Sequence, residues 1–205
     1  MAATAGLAML AGRAHAEADA TQPRSLPAFH AIDIVGVMEI EVSVGKAQSV
    51  QLVGDQDMFD KVLTSVKDGT LVVDTKFEHH GGNHRMKMVV SVPDVSALTV
   101  EGTGSMVVSG VANNNLAITL PGTGEVKVEG TTGTLKVDVG GTGSISARKL
   151  TAKVATVNVA GTGSASLVAT DTVDLVVSGT GSISVGGHPA HVHKRVTGMG
   201  SIGVH

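Results

Sequence analysis

Residues 98–108 read LTVEGTGSMVV, and residues 118–128 read ITLPGTGEVKV. The same frame returns as VDVGGTGSISA (137–147), VNVAGTGSASL (157–167), LVVSGTGSISV (175–185) and RVTGMGSIGV (195–204). Gly-Thr-Gly begins at Gly102, Gly122, Gly141, Gly161 and Gly179, and Gly-Met-Gly at Gly198, at intervals of 20, 19, 20, 18 and 19 residues. Apolar side chains stand four and two positions before the first glycine, as Leu98 and Val100 or Val157 and Val159 show; in the last copy Lys194 takes the earlier position. Period-two alternation is the pattern of a strand with one buried face.

A strand-turn-strand unit of this length cannot bury its apolar face alone. Stacked on copies of itself it can, each strand pairing with its equivalent ~4.8 Å away. By that spacing, six copies make a rod section about 25 Å long. A second apolar stretch recurs between corners, as at Leu135-Lys136-Val137 and from Leu150 to Val154, so each coil is expected to hold two or three short strands. Equivalent strands run the same way in every coil, which makes the pairing parallel. The expected fold is all-β: a parallel β-helix-like solenoid with coils of about 19 residues and Gly-Thr-Gly corners, regular over 98–205.

A sharp corner needs positive φ or a close backbone approach, and glycine permits both. Positive φ at Gly161 or Gly163 would be one such solution. The following hydroxyl residues (Thr103 and Ser105, Thr142 and Ser144, Thr162 and Ser164, Thr180 and Ser182) are expected to stack into columns and hydrogen-bond along them. A phosphate-binding loop would open a helix, and no helix follows any of these motifs. Residues 28–97 read as a degenerate version of the same material. Strands are expected around Ile32 to Gly36 and the following MEIEVSV, at Val50 to Val53, Thr70 to Thr75 and Met86 to Val92. Asp55 to Val62 is the one helical turn.

The N-terminus differs. Residues 1–16, MAATAGLAMLAGRAHA, carry a small apolar run and the A-x-A pattern Ala14-His15-Ala16, which read as the h-region and cleavage site of a secretory signal. A basic n-region is missing, so the true start lies upstream or the signal is truncated. Residues 17–27, with Pro23 and Pro27, read as a linker, and residues 28–205 as the domain. An exported protein of the periplasm, cell surface or medium is expected.

Composition narrows the function. The 205 residues include 33 Val, 20 Thr and 27 Gly but no Cys, Trp or Tyr, and the formal net charge is -3. Without Cys there are no disulfides, thiolate metal sites or Cys nucleophiles. The charge balance argues against nucleic acid. The missing aromatics remove stacking platforms and the girdle of an outer-membrane barrel, and no later run is long enough for a spanning helix.

Together, FHAIDIVGVMEIEVSVG (29–45), GDQDMFDKV (54–62), DGTLVV (68–73), the serial Gly-Thr-Gly corners and GGHPAHVHKRVTGMGSI (186–202) resemble the head GIN domain family, also called the auto-transporter adhesin domain. The likeness runs from about Ala28 to the C-terminus and includes the closing Gly187-His188-Pro189 element. The family usually has G-S-G-D or G-S-G-S at the corner. Here Thr replaces the middle Ser and no Asp follows, so no corner carboxylate carries over. The resemblance implies a β-solenoid of bacterial envelope proteins and brings no catalytic residues. No run of barrel strands resembles a translocator.

Two histidine clusters could offer imidazoles to Zn or Ni: His79, His80 and His84 in EHHGGNH, and His188, His191 and His193 in HPAHVH. Neither matches a compact ligand motif, so solvated loop histidines are expected. Glu101, Glu125, Glu129, Asp138, Asp171 and Asp174 build no repeated acidic line, and solvated outer-face charge is the expected role. No catalytic, cofactor or metal residue is therefore assigned. The favoured reading is a non-enzymatic envelope protein presenting a long β face to a protein or glycan. The alternative is a polysaccharide-acting enzyme or a metal-binding periplasmic protein. The terminal coil around Ile202 and Val204 is expected to offer an edge for self-association or a partner.

Overall fold

The computed structural model describes residues 19–76 and 86–205. The alternation read from the repeats becomes four long parallel strands, β9 (Thr103–Leu120), β10 (Thr123–Val139), β11 (Thr142–Val159) and β12 (Thr162–Val177) in the chain-order numbering used throughout. They pair in register at each corner: Thr103, Thr123, Thr142 and Thr162 are aligned. The coil does not divide into two or three separate short strands. Each strand runs almost a full turn and bends at register shifts, as between Lys127 and Glu129. A bulge inserts a residue and bends the strand without ending its pairing, which is how one strand covers several faces. Shorter strands β13 (Ser182–Gly186), β14 (His191–Val196) and β15 (Ser201–Val204) continue the stack.

The earlier part is assembled out of chain order. It comprises β1 (Ala20–Pro23), β2 (Ala31–Ile34), β3 (Val37–Val44), β4 (Ser49–Gly54), a 3-10 helix (Gln56–Lys61), β5 (Val62–Lys67), β6 (Thr70–Thr75), β7 (Met86–Val92) and β8 (Ala97–Val100). The coil formed by β2 and β3 lies between β6 and β7 on one side and β8 and β9 on the other. Strands expected from the sequence appear at β4, β6 and β7, and the helical turn at the 3-10 helix. The pairing, however, is not parallel throughout. Strands β1 and β4, β4 and β7, and β5 and β6 are antiparallel. The cause is local in β5–β6: Asp68 (φ 50) and Gly69 (φ 72) form a two-residue reversal with both φ positive, the turn that Asp-Gly favours.

The segment expected to be a linker is partly structured. Ala20–Pro23 pairs with Gln51–Gly54, because β4 offers a free edge. Farther along, the Gln48 amide donates to the carbonyls of Leu26 (3.2 Å) and Pro27 (3.0 Å) and accepts from the Phe29 amide (3.2 Å). The expected signal segment, residues 1–16, lies outside the described residues.

Inside the coils, alternate residues stack into apolar columns such as Met106, Val126, Ile145, Ala165 and Ile183, all at most 2% exposed. Such columns need side chains narrow enough to repeat at the strand spacing, which suits a core rich in Val, Ile, Leu and Ala. Phe59 joins the core from the 3-10 helix, beside buried Met58. Thr132 is the one buried polar side chain among the described residues, and its hydroxyl is satisfied by donating to Asn113 Oδ1 at 2.8 Å.

The corner glycines solve their problem by close approach. None of Gly102, Gly122, Gly141, Gly161 or Gly163 has positive φ. A Cβ on Gly161 would instead lie 2.2 Å from the Gly141 carbonyl oxygen and 2.4 Å from that of Gly140. Main-chain bonds hold the stack: the amides of Gly140 and Gly141 both donate to the Leu120 carbonyl (3.0 and 3.1 Å), and Thr162 donates to Gly141 (3.1 Å).

Candidate binding face

Strand periodicity puts Thr, Ser and the next alternate residue of each corner on one outward face. Its first column is Thr103, Thr123, Thr142 and Thr162, all exposed. The second ends in Ser144, Ser164, Ser182 and Ser201, and the third runs through Ser146, Ser166 and Ser184 to Gly203. Columns repeat at ~4.8 Å along the solenoid, and alternate residues at roughly 6.7 Å across it. The result is a flat grid of short hydroxyl side chains. Toward the N-terminal end the same face turns charged, with Glu41 paired to Lys87 (3.1 Å) and Glu125 to Lys127 (2.7 Å).

An open groove of about 510 Å³ follows the hydroxyl half, from Thr142 and Thr162 across Thr180 to Met199 and Ser201. Met199, standing where the other corners carry Thr, is 86% exposed. The expected hydrogen bonding along the columns is not formed. Main-chain groups satisfy one another at the corners, and no corner Thr or Ser hydroxyl has a partner among the described residues. Only the third column is engaged: Ser166 accepts from Arg148 (3.3 Å), and Ser184 meets His205 (3.0 Å). Freedom from internal bonds leaves the Thr and Ser hydroxyls of the first two columns available to an outside ligand. The sequence reading found the Thr and Ser columns but missed the third, which the frame T-G-S-x-S signals two residues later.

The other candidate residues disperse. Glu125, Glu129 and Asp138 form ion pairs with Lys127 (2.7 Å), Lys149 (2.7 Å) and Lys136 (3.2 Å), and Asp171 is exposed. His191 and His193 occupy alternate positions of β14, with His193 in register with Asp174, whereas His188 sits outside the strand at φ 52. No three His, Cys, Asp or Glu side chains converge as metal ligands among the described residues. His79, His80 and His84 lie outside them.

One carboxyl was missed. Asp33, between inward-facing Ile32 and Ile34, faces outward on β2 with Val72 and Thr99 beside it in register. Its Oδ1 is shut from solvent without a hydrogen-bond partner. Burial, with a smaller contribution from nearby Glu101, pushes its carboxyl up to about 6. The sequence signal was a charge within AIDI, a strand flanked on both sides.

No helix among the described residues is long and apolar enough to cross a membrane. In comparisons with known proteins, no curated protein matches the chain. A crystal structure described as a "putative adhesin" from Bacteroides fragilis superimposes with a TM-score of 0.72 at 24% identity, over 92% of this chain and 98% of that one. One described as a "putative lipid binding protein" from Parabacteroides distasonis reaches 0.51 at 23% identity, over 93% and 98%. These likenesses establish the fold. The family model for "Putative auto-transporter adhesin, head GIN domain" matches residues 28–189, and the chain belongs to that family.

Proposed function

We propose that the protein is a non-enzymatic, exported envelope or surface protein whose solenoid presents the hydroxyl face to a protein or glycan. The observation carrying this reading is the set of unbonded Thr and Ser hydroxyls aligned over successive coils along the groove. A rigid array of neutral donors and acceptors loses little entropy on binding, and preorganisation of this kind favours association. It also fits a family named for adhesion. The groove itself is lined by Thr, Gly, Ser and Met, with no titratable side chain among the described residues.

The test replaces Ser144, Ser164 and Ser182 together with Lys and compares the variant with the parent on a glycan array and in pull-downs from envelope extract. Loss of capture with an unchanged melting curve supports the reading. Capture that survives the substitution refutes the face. Polysaccharide cleavage abolished by Asp33→Asn with Glu101→Gln would refute the non-enzymatic assignment. Export is tested by fractionation and N-terminal sequencing, where cleavage after Ala16 leaves Glu17 first.

A further inference from the structure

The inner column Leu98, Ile118, Val137, Val157 and Leu175 is almost wholly buried, at 1% exposure or less. Its next position, in register with Leu175, is Lys194 on β14. On either side, Val173 aligns with Val192 and Val177 with Val196, which are 39% and 45% exposed. Strand β14 pairs with β12 alone among the described residues, and all six of its residues are exposed. Its core side therefore reads Val, Lys, Val beside an unpaired line of backbone donors and acceptors. The positive charge on the core side is Lys194 itself; Arg195 alternates to the outer side, where Asp174 stands in register with His193.

A strand added to this edge in register would cover Val192 and Val196 with its own alternate residues and enclose Lys194. An apolar residue opposite Lys194 would desolvate the ammonium without compensation. A carboxylate there gives a charge-assisted hydrogen bond. We infer that β14 is a strand-addition edge for an extended peptide bearing Asp or Glu between two apolar residues, each two positions away. This site is separate from the hydroxyl face. The peptide comes from another protein rather than a second copy. Among the described residues the other free edges, β1 (ATQP), β5 (VLTSVK) and β15 (SIGV), contain no carboxylate, and Pro23 removes a donor from β1.

The test measures fluorescence polarisation of labelled Thr-Val-Thr-Glu-Thr-Val-Thr with the full chain, beside peptides with Lys or Val in place of Glu. The Glu peptide is expected to bind at least tenfold more tightly than either. Lys194→Glu should invert the preference between the Glu and Lys peptides, and Lys194→Gln should abolish it; melting curves verify folding of both variants. Equal binding of the Glu and Lys peptides, or no binding of any, overturns the proposal. Light scattering that shows self-association lost in Lys194→Glu would also overturn it, in favour of a second copy.

Discussion

Gly161→Ala adds one methyl group where two coils touch. The new Cβ would lie 2.2 Å from the Gly141 carbonyl oxygen, so the coils must part by about 1 Å to reach ordinary contact. The Thr162-to-Gly141 bond at 3.1 Å and the Gly161-to-Val139 bond at 3.2 Å lie in the path of that movement. Overpacking costs about 1–3 kcal/mol, and a weakened hydrogen bond about 1 kcal/mol more. The expected loss is therefore about 2–4 kcal/mol. Gly140 provides an internal control one coil earlier. A Cβ there meets only the Pro121 Cα at 3.8 Å, and its φ is not positive. Gly140→Ala should be neutral, or stabilise by a few tenths of a kcal/mol through the unfolded chain. Urea unfolding of both variants, compared at matched slopes, separates the two outcomes. Coincident midpoints would refute the close-approach account of the corner.

Asp33→Asn should stabilise the protein at neutral pH. The native carboxyl, raised to about 6 from 3.8, holds its proton where the unfolded one has lost it, so stability falls as pH rises through that window and the penalty is complete above it. Partial exposure limits the expected gain to about 1–2 kcal/mol at pH 7, vanishing near pH 4, as denaturant titrations at several pH values would reveal; a pH-independent gain would contradict it. Phe59→Ala should cost about 3–5 kcal/mol by opening the core beneath the 3-10 helix, measured by thermal unfolding. Lys149→Ala, which breaks the exposed pair with Glu129, should change stability by less than about 1 kcal/mol, and a larger loss in the same assay would mean the pair is structural.

The solenoid was legible because the period is written directly in its corners, and a fixed corner spacing leaves equivalent strands no better partner than each other. What the period could not reveal is where the chain departs from it. The β2–β3 segment has the alternation of an ordinary coil, and nothing in IDIVGVMEIEV states that β6 and β7 will take the place beside it that sequence order assigns elsewhere. That choice depends on long-range pairing energies. The Asp68-Gly69 reversal, by contrast, is legible as a hairpin signal. The corner glycines carry the same lesson at atomic scale: sequence demanded a residue without Cβ, but only the neighbouring coil decided that the reason is a carbonyl oxygen rather than a positive φ. The candidate face lay between these limits. Its columns followed from the alternation, while the freedom of its hydroxyls followed from main-chain bonds that had already closed the corners. Among the described residues the backbone needs none of those hydroxyls, so the columns stay free for the binding role proposed for this face.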